Sequence, residues 1–519
     1  MVSSALVTSA VRAPRRADAT AASVPAWPAP ITSTSYSASK EPGEIDIPKD
    51  SAGGNFGDAL TRYEHMHFDR TLRLLLGVIG IAAASGCHGA TTPALPPVAA
   101  GDAPAGPIHL TAEEARTRDY VIAHHEQDIA LLERAVNISS GTQNPAGVRK
   151  VGELFGDQLR ALGFTVRISE MPTSMRRGGH LIAEHPGNRG PRILLIGHLD
   201  TVFEGEGQRF VRTDSIARGA GTSDMKGGDV AMISALRALN ATGGLDGARI
   251  TVIMTGDEEA VGSPRDLARK DLIELAQRAD VALAFEGGSA RRASIARRGS
   301  SSWTLTSTAK QAHSAGVFSS GGFGAIYEVS RILDTFRREL SGNPTLTFNP
   351  GSIGGGTDVD RDSSGVLTVA GKTNIISPKA TVSGDLRFLR ESQKDSTRQR
   401  MREIVAQSLP GSTSEITFRD GYPAMPPTAA GAGLLGKFDA VSRSLGYGPV
   451  EGDPPESRGA GDISFVAPYT TGMDGLGVSG RGAHSPEESV NLNSLTMAAQ
   501  RAAVFMRRLV EGGQPSMIP

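Results

Sequence analysis

Five side chains of metal-ligand type stand far apart in the chain, each beside an apolar run or a Gly-rich turn: His198, Asp224, Glu259, Glu286 and His484. Imidazole and carboxylate donors without thiolate suit zinc or a similar divalent ion in an open, catalytic site. His198 opens His198-Leu199-Asp200-Thr201-Val202, and on an extended backbone residues i and i+2 point the same way. Asp200 is therefore expected to accept the second ring N–H of His198 and fix its tautomer. Asp224 sits in a Gly-rich turn entering a helix, where a carboxylate can cap the helix or bridge two ions. Thr255-Gly256-Asp257-Glu258-Glu259 places adjacent acids at a strand end. Adjacent side chains diverge, so one of Glu258 and Glu259 can bind a metal while its neighbour stays free as a general base. Each feature alone is ordinary; together, in these contexts, they argue for one centre.

The elements that must position them are legible as patterns. Ile193-Leu194-Leu195-Ile196 runs into His198, 250–254 into Glu258 and Glu259, 281–285 into Glu286, and Gly475-Leu476-Gly477-Val478 precedes His484. Near-continuous apolar strands predict a sheet covered on both faces, with ligands beyond its carboxyl ends. Helical patterns at 227–239 and 265–278 lie between the strands. Upstream, Thr111 with Glu114 predicts a capping box, and an amphipathic helix over 148–162 stops at Gly163 before a strand over 164–168. From 299 to 423 the pattern changes to β-α-β-β-α-β, with strands near 302–307, 346, 380–388 and 415–418 and helices over 325–340 and 397–408. That order predicts a ferredoxin-like insert. The fold expected is α/β, a helix-covered and mainly parallel sheet formed by 109–298 and 424–519, interrupted by an α+β insert over 299–423.

The bulk numbers permit this. A chain of 519 residues can bury a large core and is expected to form two domains. Lys+Arg (54) and Asp+Glu (55) nearly cancel, which argues against a nucleic-acid partner. The one cysteine, Cys87, allows no intrachain disulfide. It follows a short basic head and the apolar run 74–84, so 66–87 reads as a secretory signal. Ala84-Ser85-Gly86-Cys87 resembles a bacterial lipoprotein box, which implies a lipid anchor at Cys87 and an exported, periplasmic or outer-membrane lipoprotein. The alternative is a plain secretory signal. Residues 1–65 read as a disordered or mis-annotated leader, with Met66 the true start, and 88–108 as a tether.

His-Leu-Asp-Thr-Val, Gly-Thr-Ser-Asp-Met-Lys-Gly-Gly, Gly-Asp-Glu-Glu, Phe-Glu-Gly-Gly and Gly-Ala-His-Ser, in that order, resemble the dinuclear zinc peptidases that include glutamate carboxypeptidase, aminoacylase and succinyl-diaminopimelate desuccinylase. The resemblance spans roughly 115–512 and is nearest to glutamate carboxypeptidase around His198 and Asp224. It implies two Zn²⁺ per subunit: His198 and Glu286 on one, Glu259 and His484 on the other, Asp224 bridging. It further implies that Asp200 orients His198, that Glu258 is the general base and that Asp224-Met225 is a cis peptide. In the insert, a lid and dimerisation domain, it implies that His313 reaches substrate across a homodimer, that Arg387 grips a substrate carboxylate and that Asn374 is a nearby polar contact. Arg458-Gly459-Ala460-Gly461-Asp462 departs from the family's late Gly-rich substrate loop. The activity expected is a zinc exopeptidase of carboxypeptidase type, acting on a small peptide next to a free carboxylate. The alternatives are an N-acyl-amino-acid deacylase with the same site and a lipid-tethered binding protein without chemistry.

Overall fold

The computed structural model describes residues 109–205, 208–362 and 365–512. The segments read as leader, signal, lipid-anchor site and tether, 1–108, lie outside the described residues.

The apolar runs form the centre of a six-stranded sheet in the order Thr165–Ser169, His180–His185, Ala248–Thr255, Arg189–His198, Val281–Ala284, Thr471–Met473. The last four strands are mutually parallel, and His180–His185 runs against its neighbours. Side chains alternate across a strand, and here both faces are covered. Ile193 and Leu195 join the core beneath the helices Pro145–Arg160, Lys226–Ala241 and Leu492–Glu511. Leu194 and Ile196 join a second core with Leu272, Leu275, Ile463 and Val466 on the opposite face. Each such Leu or Ile contributes roughly 1.5–3 kcal/mol by leaving water. Period-2 burial on both faces is why the run carries no polar residue until His198.

Local signals set the helices. Thr111 and Glu114 make the expected capping box ahead of Ala112–Ala123. Asn144 caps Pro145–Arg160, with proline at its first turn. The helix expected over 265–278 is two, Arg265–Ala268 and Lys270–Arg278, because buried Arg269 between them turns its guanidinium inward to Asp257 and Asp462. The run 475–478 is not a strand. The strand at that edge is Thr471–Met473, and Gly475 follows with φ 79°, ending the ladder. The run instead lies beside the loop after Val281–Ala284, where Gly477 N–H donates to the Glu286 carbonyl and Gly288 N–H to that of Val478.

The insert is a four-stranded antiparallel sheet in the order Thr347–Gly356, Lys379–Phe388, Gly299–Ala309, Ser412–Asp420, with helices Gly324–Leu340 and Glu391–Val405. By chain order this is 2-3-1-4, the ferredoxin-like arrangement. Trp303, Leu305, Phe336, Val382 and Met401 fill its separate core. A hairpin, Asp358–Arg361 with Leu367–Ala370, lies between its second and third strands and was not expected from the sequence. The second strand, expected near Leu346, extends to Gly356 because its Gly- and Ser-rich half has no apolar alternation to read.

Candidate metal centre

The sheet carries its donors to one edge. His198 is the last residue of its strand and lies opposite Thr255, so Glu258 and Glu259 emerge just beyond the neighbouring strand. Ala284 pairs with Ile196 on the other side, which brings Glu286 level with His198. Asp224 precedes the helix Lys226–Ala241 across a cis peptide to Met225. His484, at φ 64°, sits in the loop between Gly480–Arg481 and Ser489–Asn491. Glycine is required at 480, because a Cβ there would lie 2.1 Å from that of Ser223. This close approach sets the His484 loop against the Asp224 turn.

Among the described residues the five donors form two groups that share Asp224: His198, Asp224 and Glu286, and Asp224, Glu259 and His484. His198 Nε2 lies 3.2 Å from Asp224 Oδ1 and 3.6 Å from Glu286 Oε1. His484 Nε2 lies 3.1 Å from Asp224 Oδ2 and 3.2 Å from Glu259 Oε2. The two oxygens of Asp224 thus face opposite histidines.

The charges of this cluster call for cations. His198 Nδ1 donates to a carbonyl, so its Nε2 lone pair faces two carboxylate oxygens. Buried Glu259 Oε1 has no hydrogen-bond partner among the described residues. Left alone, the groups must take up protons instead. Burial pushes Glu259 up to about 8 and Glu286 up to about 7, and drives Glu258 well above the usual carboxylate range. Burial opposes charge on His198, yet Asp200 and Asp224 outweigh it and raise its pKa well above the ordinary value. Asp224 beside His484 raises that imidazole to about 9. Burial also opposes charge on Asp224, but the two histidines hold it well below the usual range. Two nitrogens and three carboxylates converging with lone pairs inward fit a pair of divalent ions.

Asp200 differs from its expected role in one respect. The ring N–H of His198 reaches the backbone carbonyl of Asp200 at 3.0 Å, while the Asp200 carboxylate stands 3.5 Å away. That carboxylate accepts the backbone N–H of Glu258 (3.0 Å) and Glu259 (3.1 Å) and the hydroxyl of Thr142 (2.6 Å). It therefore orders both acids as well as the histidine. Glu258 and Glu259 line a cavity of about 470 Å³ together with Asp224, Glu286 and His484. The floor and wall of this cavity also carry Arg297, Arg458 and Arg481.

Several residues here gave no signal in the sequence. Arg297 is buried, pairs with Asp474 and donates to the Gly459 carbonyl. Arg269 joins Asp257 to Asp462, and Thr255 donates to Asp462, so the acid loop and the 458–462 loop are tied by buried charge. Tyr422, where the chain returns from the insert, donates its hydroxyl to the Glu258 carbonyl at 2.8 Å. Glu488 is wrapped by the Asp224 turn. Buried ion pairs leave no periodic trace, and each of these four residues, Arg297, Arg269, Tyr422 and Glu488, bonds to a segment distant in sequence.

The three insert residues do not line this cavity. His313 and Asn374 are exposed neighbours where Ala312–His313 pairs with Ile375–Ile376. Arg387 pairs with Asp385 and lies opposite Ser300, near the start of the insert. Lys379, at the far end of the same strand, lies opposite Thr308, close to Ile376. Eight residue steps of strand separate Lys379 from Arg387, about 27 Å.

A mainly parallel sheet that gathers two nitrogen–oxygen donor groups and an extra half-buried acid at its carboxyl edge defines a metal-dependent hydrolase. The chain belongs to peptidase family M20/M25/M40, which matches residues 194–508. It is 28% identical over 423 residues to carboxypeptidase G2 of Pseudomonas sp. (strain RS-16), covering 77% of this chain and 94% of that protein. It is 27% identical over 380 residues to succinyl-diaminopimelate desuccinylase of Alkalilimnicola ehrlichii, covering 69% and 93%. Its fold matches the crystal structure of aminopeptidase PepT from Bacillus cereus with a TM-score of 0.60 at 18% identity, covering 75% of this chain and 99% of the other.

Proposed function

We propose that this peptidase-family member is a zinc exopeptidase of carboxypeptidase type, hydrolysing the amide that precedes a residue with a free carboxylate. The observation that carries this reading is the pair of donor groups sharing Asp224, with the unliganded acid Glu258 on the same cavity. His198 and Glu286 would hold one ion, Glu259 and His484 the other, and Asp224 both. Bound there, the ions supply an activated water and polarise the scissile carbonyl. Glu258 takes a proton from the attacking water and returns it to the departing amine. Its high proton affinity, raised by burial, suits that exchange. Asp200 holds the Glu258 backbone and Tyr422 its carbonyl, so the acid is oriented from both sides. Arg458 and Arg481 on the cavity wall favour an anionic substrate.

Arg387 and Asn374 are read as substrate contacts from the insert and His313 as one that reaches the site of a second copy; none of the three lines the metal cavity of its own chain. The protein is accordingly read as a homodimer. For its location the reading is an exported bacterial lipoprotein anchored at Cys87.

A second reading, deacylation of an N-acyl amino acid, is favoured by the likeness to a desuccinylase. Assaying zinc-loaded protein on glutamate-terminated peptides, neutral dipeptides, N-acetyl and N-succinyl amino acids separates the two. Turnover of the terminal-carboxylate peptides at the highest kcat/KM is expected. Turnover of the N-acyl amino acids alone establishes the second reading, and failure on every amide rejects both.

A further inference from the structure

The segment that carries His484 also supplies a buried carboxylate that the chemistry above does not use. Glu488 lies four residues on and is 1% exposed. Its Oε2 accepts the Gly221 N–H at 3.0 Å. Its Oε1 accepts the Ser223 N–H at 2.8 Å, the Asp224 N–H at 3.0 Å and the Ser223 hydroxyl at 3.1 Å. All four donors belong to the turn 219–224, more than 260 residues away in the chain. The Glu488 carbonyl also accepts the Gly219 N–H. Hydrogen bonds to a charged carboxylate are shorter and about twice as strong as neutral ones.

The geometry of the two donor groups depends on that turn. Asp224 must aim Oδ1 at His198 and Oδ2 at His484, and its own backbone N–H is held by Glu488. His198, Glu259 and Glu286 follow directly from strand ends. His484 does not: its side chain is 58% exposed, in a loop whose other side-chain hydrogen bonds are local, from Ser485 to Gly482 and from Glu487 to Ser485. Glu488 thus adds a polar tie, beside the close approach of Gly480 to Ser223, between the shared donor and the most exposed one.

We propose that Glu488 is a positioning residue of the metal centre, locking the Asp224 turn to the His484 loop so that the group of Asp224, Glu259 and His484 can hold its ion. This rests on the reading that both groups bind metal. A carboxylate with a merely structural role would weaken the metal-free and metal-loaded folds alike. A positioning carboxylate weakens the loaded fold more than the metal-free one, and acts most on the ion that His484 helps to hold.

The test is zinc binding by the full chain and by Glu488→Gln, read as bound zinc per chain in a metal buffer and as two affinities from chelator competition. The amide keeps the size of the side chain but sets an N–H donor against a backbone N–H donor. Expected are two tight ions in the parent. In Glu488→Gln the affinity of the group that includes His484 falls about 10–100-fold, the range for lost ligand-orienting partners, and the other, which shares Asp224 but not His484, falls by less. The metal-free melting temperature should fall by less than that of the zinc-loaded protein. Parent-like affinity for both ions overturns the proposal, as does equal weakening of both, or a metal-free fold destabilised as much as the loaded one. Should Glu488→Gln not fold, Ser223→Ala removes one of the four donors, and the same selective loss, smaller in size, must appear; its absence overturns the proposal. A parent that binds no zinc rejects the functional reading itself.

Discussion

Glu258 and Glu259 are neighbours in sequence with different fates. Glu259 reaches His484 and Asp224, whereas Glu258 makes no ion pair among the described residues and turns to the cavity. Replacing Glu258 with Gln keeps shape and removes the titrating oxygen. The expected result is a fall in kcat of about 10²–10⁴-fold with two zinc ions still bound, measured by steady-state kinetics and metal analysis on one preparation. Parent-like kcat rejects the base assignment, and loss of metal shows Glu258 to be a ligand. At this scale the residue types were readable: nitrogen and oxygen donors, no thiolate, and a divergent pair of acids. The partners were not. That Asp200 would use its carbonyl on His198 and its carboxylate on two backbone amides depends on a loop conformation. Arg297, Tyr422 and Glu488 are ordinary residues until distant segments fold onto them.

Strands read well where burial on both faces forced an unbroken apolar run, as at 193–196 into His198. They read poorly where glycine took over. The run 475–478 has the composition of a buried strand but serves as a loop, and the edge strand lies before it. The β-α-β-β-α-β order of the insert was visible in its alternation, while the hairpin 358–370 was masked by polar residues. Register within the insert leads to a prediction. His313 pairs with Ile375, shortly before the strand Lys379–Phe388 begins, whereas Arg387 lies near the other end of that strand, about 27 Å along from Lys379. If His313 completes the site of a second copy, His313→Ala and Glu258→Gln chains are each inactive but complement one another. A co-expressed, doubly tagged heterodimer pairs an intact Glu258 with an intact His313 at one of its two sites. The expected activity of the purified heterodimer is about half that of the parent dimer. A monomer by light scattering, or no recovery in the heterodimer, places His313 outside catalysis between subunits.

For the whole molecule, the centre is a concentration of charge that the fold alone does not neutralise. Ions that bind the folded chain and not the unfolded one stabilise it by RT ln(1 + [L]/Kd), about 4 kcal/mol for each at a thousandfold excess over Kd. A shift of 2–4 °C per kcal/mol for a large domain puts the loss on chelation on the order of 10 °C or more in melting temperature. Its pH dependence has a definite sign. In the metal-free protein Glu286 and Glu259 titrate near 7 and 8, above the carboxylate range of an unfolded chain, so the folded state binds the extra protons. His198 and His484 are raised as well, His484 to about 9. Each of these groups favours folding at low pH and loses that contribution as pH rises through its folded value. Asp224 is lowered and contributes in the opposite sense, but only on acidification through the ordinary carboxylate range, well below pH 6. Metal-free protein should therefore melt lower at pH 8.5 than at pH 6, and the gap between zinc-loaded and chelated samples should widen over the same interval. Scanning calorimetry with and without a chelator, at both pH values, measures this. A gap that narrows as pH rises would mean that the acids are not gathered at one centre, and the assignment of the five donors to a shared pair of ions would fail with it.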